Sequence, residues 1–185
     1  MIVDILESQS IEVCGFIDDD IQKESFRGRQ VLHDVQDYGS IIIGVGNNED
    51  RKKIAERLVG AKFSTAIHSS ATVSSFATIG DGSVVMPGAV INSDSRIGRH
   101  CIINTKASVD HDCIVGDFVH ISPGVVLCGN VTVGEGTQVG AGATILPGVS
   151  IGKWAMIGAG AVVVRDIPDG VVAVGVPVKV IKYKE

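Results

Sequence analysis

The chain is expected to fold as a small N-terminal α/β unit followed by a parallel β-helix with a C-terminal cap. Three observations point there. Aliphatic residues recur every six positions from Ile67 to Val163 without a slip in register. Glycine recurs every 18 positions, directly after one of those aliphatics. Residues 1–66 lack this period and read instead as short strands alternating with helices. Composition agrees: 45% of residues are hydrophobic, but only 4% are aromatic and 23 are glycine, which suits thin layers and tight turns rather than a bulky centre.

The six-residue series is Ile67, Val73, Ile79, Val85, Ile91, Ile97, Ile103, Val109, Val115, Ile121, Leu127, Val133, Val139, Ile145, Ile151, Ile157 and Val163. Chance does not produce it, since only about a quarter of residues in an average protein are Val, Ile or Leu. Two positions before each aliphatic the residue is usually small, as at Ala71, Ala89, Cys101, Ala107, Cys113, Ala143 and Ala161. Gly80, Gly98, Gly116, Gly134 and Gly152 mark the longer period, so three hexapeptides make one coil. The expected object is a triangular prism. Each side is a short strand, each aliphatic points inward, and successive coils pair as parallel strands about 4.8 Å apart. One coil cannot bury its own apolar side, and stacking does so. The glycines are expected to supply the backbone angles of the corners.

The N-terminal unit, residues 1–62, reads as Rossmann-like. Met1–Ser8 is the end of a helix with Ile2, Ile5 and Leu6 on one face. Glu12–Ile17 and Ser40–Val45 read as buried strands. NEDRKKIAERLVG reads as a helix capped by Asn47 or Asn48, with Glu49 and Asp50 in its first turn and Gly60 at its end. Ile54, Leu58 and Val59 would form its apolar stripe. Such units bind nucleotides beyond the carboxyl ends of their strands. Asp18, Asp19 and Asp20 stand at one such end, and Gly44, Gly46 and Asn47 at another. The acids suit ribose or base hydroxyls and amines, and equally a solvated turn. The β-helix is expected over residues 63–185, with its cap from about residue 164 in IPDGVVAVGVPVKVIKYKE.

Several classes are set aside. A net charge of −5 argues against a general nucleic-acid surface. No apolar run reaches the roughly 18 residues of a membrane span. The first residues carry Asp4 and Glu7 and no basic segment, so no signal peptide is expected. Four cysteines without a CxxC pair argue against structural zinc and suit a reducing cytoplasm.

The candidate chemistry lies in VDHDCIVGDFVHISPG, residues 109–124, with His111 and His120 among three aspartates. With FIDDD and GVGNN upstream and the hexapeptide series around it, this stretch resembles the left-handed β-helix sugar acetyltransferases of the sialic acid O-acetyltransferase type. Within them it is most similar to the enzymes that N-acetylate UDP- or GDP-linked 4-amino-4,6-dideoxy sugars, as in bacillosamine and perosamine biosynthesis. The left hand comes from that resemblance, since the usual crossover preference is right-handed. Family members open with a strand and a G-A-x-G-H turn. This chain begins where the following helix is expected, so its α/β unit is expected to lack that first strand.

The resemblance implies acetyl-CoA as co-substrate and no metal. It makes His111 the general base, oriented by Asp112 with Asp110 as the competing acid, and gives Gly129 the oxyanion. It places Asn104 at the sugar, and the strand-end reading of the α/β unit adds Asp18, Asp19 and Gly46 as candidates at the nucleotide. The resemblance sets His120, Ala141 and Ala159 along the pantetheine arm, with Lys153, Arg165, Lys179 and Lys182 as candidates for the CoA phosphates. His33, His68 and His100 are read as structural. It also implies a homotrimer, and exposed aliphatics at Val84, Val90, Ile102, Ile114 and Val126 would pack between subunits. Two alternatives remain: a sialic-acid-type O-acetyltransferase, and a non-catalytic sugar-nucleotide-binding homologue. A β-helix carbonic anhydrase is disfavoured, because its zinc needs three histidines and none follows His120.

Overall fold

The computed structural model describes residues 1–33 and 39–183. Its greater part is a three-sided parallel β-helix. The first face stacks Ala66–Ile67, Val84–Val85, Ile102–Ile103, His120–Ile121, Gln138–Val139 and Met156–Ile157. The second runs from Thr72–Val73 to Val162–Val163, and the third from Thr78–Ile79 to Ser150–Ile151. Every pairing joins residues 18 apart, as in Ile103 with Ile121 and Val109 with Leu127. The six-residue aliphatics line the interior: Ile103, Val109, Ile121, Leu127 and Ile145 are all fully buried. Each such side chain contributes about 1.5–3 kcal/mol on burial. The small position beside them is also inside, with Ala89, Cys101, Ala107 and Cys113 fully buried. Where it is polar it is satisfied. The Ser95 hydroxyl donates to the Asp110 carbonyl at 2.6 Å and accepts from the Cys113 N–H at 3.2 Å.

Three edges join the faces, and the corner glycines act differently from expectation. None of Gly80, Gly98, Gly116, Gly134 or Gly152 has a positive φ. They are glycine because the coils approach too closely for a side chain. A Cβ at Gly80 would lie 2.7 Å from the Gly98 carbonyl carbon, and one at Gly134 would lie 2.6 Å from that of Gly152. The left-handed residue sits two places further on, at every sixth position from 82 to 160. Glycine, Asp, Asn, Lys, His, Phe and Trp all occupy it.

The N-terminal part is built from α1 (Ile2–Ser8), β1 (Phe16–Ile17), β2 (Ser25–Phe26), β3 (Arg29–Leu32), β4 (Ser40–Ile41), α2 (Asn48–Arg57) and β5 (Lys62–Phe63). The strands are shorter than the sequence suggests. β1 is parallel to β3, β4 is parallel to β5, and β2 is antiparallel to β3. α1 packs Ile2, Ile5 and Leu6 against Ala66, Val84 and Met86 of the first face. Val84, expected on an exposed row, is therefore buried beneath α1.

The tail closes the far end by extending the first face. Val171–Val174 pairs in parallel with Met156–Ile157, and Lys179–Tyr183 returns antiparallel to it. Val171, Ala173 and Val178 cover the core.

Candidate active site

The second edge, residues 92–94, 110–112 and 128–130, carries the acid–histidine cluster. His111 projects into solvent, and its Nδ1 lies 2.8 Å from an Asp112 carboxylate oxygen. Asp112 holds this place from a left-handed φ of 59°. Asp110 bonds differently. Its Oδ1 accepts the His111 backbone N–H at 2.9 Å and the Asn92 side-chain amide at 2.9 Å. Of the two acids, Asp112 orients the ring and Asp110 holds the backbone beneath it. The hydrogen bond that the ring donates to Asp112, and behind it the charge of Asp110, holds the imidazole above the ordinary histidine value. The bond from Asn92, then that from the His111 N–H, holds Asp110 below the usual carboxylate range.

Gly129 stands one coil on. A Cβ there would lie 2.6 Å from His111 Cε1 and 2.7 Å from Nε2, so the ring rests where only glycine leaves room. The Gly129 carbonyl accepts from Gly148 N–H at 3.0 Å, while its own N–H has no hydrogen-bond partner among the described residues.

The first face and first edge hold a second group. The Asn104 amide lies 3.0 Å from His120 Nε2, and the Asn104 Oδ1 accepts the Thr105 N–H at 2.7 Å. Burial pushes His120 down to about 4, so the ring is neutral at pH 7. Ala141 and Ala159 are exposed on the first edge, each flanked by glycines. His111 and Asn104 thus occupy different edges of one chain. The strand between those edges puts them roughly 15–20 Å apart, at about 3.3 Å per residue.

Asp18 and Asp19 do not join either group. Asp18 Oδ1 accepts the Asp20 N–H at 3.0 Å, and its other oxygen meets Lys23 Nζ at 2.8 Å. Asp19 meets Arg57 at 3.3 Å. Gly46 lies at the mouth of α2 and is exposed, and a Cβ there would meet nothing within 4 Å. Lys153 is on the third edge, Arg165 lies past the last coil strand, and Lys179 and Lys182 are on the terminal strand. Among the described residues, no three His, Cys, Asp or Glu side chains are grouped as a metal would need.

Solved structures resemble this architecture over nearly its whole length. Perosamine N-acetyltransferase from Caulobacter crescentus, solved as a histidine-to-asparagine mutant with CoA and GDP-perosamine, is 39% identical with a TM-score of 0.93, covering 98% of this chain and 90% of that one. The acetyltransferase domain of PglB from Neisseria gonorrhoeae is 38% identical with a TM-score of 0.91, covering 97% and 93%. It has also been solved with acetyl coenzyme A. The chain belongs to the hexapeptide-repeat N-acetyltransferases of nucleotide-linked amino sugars. Family models agree: bacterial transferase hexapeptide (six repeats) matches residues 76–107 and 130–165, and the PglD N-terminal domain matches residues 1–58. UDP-N-acetylbacillosamine N-acetyltransferase of Bacillus subtilis is 55% identical over 47 residues, a match spanning 24% of this chain and 22% of that relative. The β-helix is accordingly the left-handed one of this family.

What sequence reasoning missed in this acetyltransferase is how α2 is seated. Its apolar stripe does not seat it: Val59 is 90% exposed, and the buried residues are Asn48 and Arg51. Arg51, 1% exposed, donates to the carbonyls of His100 and Phe118 at 2.8 Å on the third edge. It also donates to the Val45 and Gly46 carbonyls at 3.0 and 3.1 Å. Asn48 donates to the Gly136 carbonyl at 3.1 Å. One of two arginines among Lys and Glu on a charged helix, Arg51 carried no sequence signal of this. No helix among the described residues is long and apolar enough to cross a membrane.

Proposed function

We propose that the chain transfers the acetyl group of acetyl-CoA to the amine of a UDP- or GDP-linked 4-amino-4,6-dideoxy sugar, with His111 as general base. One observation carries this reading. The His111 Nδ1 is tied to Asp112 while the opposite ring nitrogen, Nε2, lies over Gly129. That is the arrangement a base needs, with one nitrogen oriented and the other free to take a proton. The sugar amine attacks the thioester carbonyl, the carbon–sulfur bond breaks, and CoA leaves as thiolate. The amine proton passes to Nε2, and the unpartnered Gly129 N–H receives the oxyanion. No cysteine is needed, and Cys101 and Cys113 are walled into the core.

The other assignments follow from placement. Neutral His120 and Asn104 form a polar pair beside the small first edge, where Ala141 and Ala159 leave a lane for the pantetheine arm. Gly46 is required neither by φ nor by packing among the described residues, which suits a backbone approached by a sugar nucleotide, with Asp18 and Asp19 as further contacts for that ligand. Because His111 and Asn104 lie on different edges, acetyl-CoA would lie between two copies of a homotrimer. Ile114 and Val126, 50% and 39% exposed, suit the packing between copies. A cytoplasmic setting fits substrates of this kind. The test is thiol release from acetyl-CoA with a panel of UDP- and GDP-4-amino sugars. Turnover should depend on one sugar and collapse in His111→Ala. A His111→Ala protein that keeps its rate would remove His111 as the base, and no release with any sugar would favour a binding homologue.

A further inference from the structure

The reactive edge is arranged from the coil below it. Asn92 and His111 are not neighbours in sequence, yet Asn92 occupies the place 18 residues before Asp110 and is parallel-paired into the same ladder. Its N–H donates to the Val109 carbonyl at 2.9 Å, so its backbone is fixed by the second face. Its side-chain amide then reaches Asp110 Oδ1, the oxygen that also takes the His111 N–H. The neighbouring Ser93 carbonyl accepts the Asp112 N–H at 3.1 Å. Both acids flanking His111 are therefore held from residues 92 and 93.

We propose that Asn92 is a positioning residue for the acetyl-transfer reaction, acting through Asp110 on His111. This rests on the reading of His111 as base. The physical reason is competition. An ionised Asp110 has two oxygens and needs donors, and among the described residues the charge-bearing group beside it is the His111 ring. Asn92 supplies a fixed donor one coil away, so Asp110 stays under the His111 backbone and leaves the ring nitrogen to Asp112. Without Asn92 the carboxylate is free to swing to solvent; the His111 backbone N–H then loses its acceptor, and the imidazolium, still bonded to Asp112, loses the nearby charge of Asp110.

The test uses Asn92→Ala, Asp110→Asn and the double variant in the full chain. It reads kcat and KM and, separately, the NMR titration of the His111 Cε1 proton. Asn92→Ala should lower kcat by about tenfold, the scale of one lost hydrogen bond to a charged group, with KM for acetyl-CoA unchanged. The His111 midpoint should fall in the same variant. The double variant should be no slower than Asp110→Asn alone, because the two residues act in series. Additive losses, or a His111 midpoint that does not move in a folded Asn92→Ala protein, would overturn the proposal. Failure of the base reading is visible elsewhere: His111→Ala would keep its activity, while the midpoint shift would still report whether Asn92 holds Asp110.

Discussion

Replacing Arg51 by Met should release α2 from the β-helix without unfolding the β-helix itself. Met keeps most of the apolar length and removes the fork. Two buried carbonyls, His100 and Phe118, lose donors at 2.8 Å, and the Asn48 side chain loses one at 2.8 Å. Leaving a buried acceptor unpaired costs about 1–3 kcal/mol, so two carbonyls give about 2–6 kcal/mol. Part is returned because the guanidinium no longer has to be desolvated; burial holds Arg51 down to about 10. A net loss of about 3 kcal/mol is expected, close to that for breaking a buried charged group's bonds. Solenoids unfold piecewise, so the right assay is local. Hydrogen exchange across residues 40–63 should accelerate by about 10²-fold, while amides of the second face do not change. KM for the sugar nucleotide should rise, because Val45 and Gly46 lose their anchor. Unchanged exchange in α2 would refute the reasoning and return the helix to its apolar contacts.

Three further outcomes are expected. Gly129→Ala should cut kcat by about 100-fold, because its Cβ displaces the His111 ring from contacts of 2.6 and 2.7 Å; a rate within threefold of wild type would show that this ring position is not the working one. The acid limb of kcat/KM should follow His111, active where the ring is neutral. Asp112→Asn removes the bond that raises that ring, so the limb should move to lower pH, and a move to higher pH would reverse the assignment. His100 is buried between Phe63 and Phe118, neither ring nitrogen has a hydrogen-bond partner among the described residues, and burial lowers it. A histidine lowered on folding stabilises above its unfolded value near 6.5 and loses that contribution as pH falls below it. His100→Phe should therefore raise stability by about 1 kcal/mol at pH 7 and weaken the loss on acidification, read by urea melts at several pH values.

The β-helix was legible because its signal repeats: Ile67 to Val163 report one geometric demand many times over. The second edge was legible too, since His111, Asp112 and Gly129 fall in one local motif and one 18-residue step. Two things were not. The glycines of the Gly80 series could mark a turn or a close approach, and only coordinates show that backbone from the next coil fills the Cβ site. The seating of α2 depends on carbonyls at His100 and Phe118, about 50 and 67 residues away. A carbonyl has no identity in a sequence, so an arginine that reads backbone leaves no pattern. Asp18 and Asp19 show the converse. Their side chains satisfy a turn N–H, Lys23 and Arg57, and those contacts are what a solvated turn would make.

The left-handed positions show how one repeat acquires three different edges. A non-glycine residue in that conformation carries strain of about 1–2 kcal/mol, so glycine is the default wherever nothing else is gained. On the first edge the default holds at Gly88, Gly124, Gly142 and Gly160, with Lys106 the exception. This is the edge that carries Ala141 and Ala159. On the third edge the positions are Gly82, His100, Phe118, Gly136 and Trp154. Its large residues do structural work, since His100 and Phe118 stack at 5.1 Å and Lys52 of α2 sits over Phe118 and Trp154. Here Gly82 and Gly136 are the residues the rings of His100 and Trp154 lie upon. On the second edge they are Asp94, Asp112, Asn130 and Gly148. Asp and Asn tolerate this conformation best among side chains, and only this edge keeps a carboxylate there beside a solvent-facing histidine. The strain at Asp112 has a local return in its bond to His111. An Asp112→Gly chain would relax that backbone and release the ring. The two effects oppose each other in the assay: stability should hold or rise while kcat falls, a separation that a purely structural Asp112 would not give.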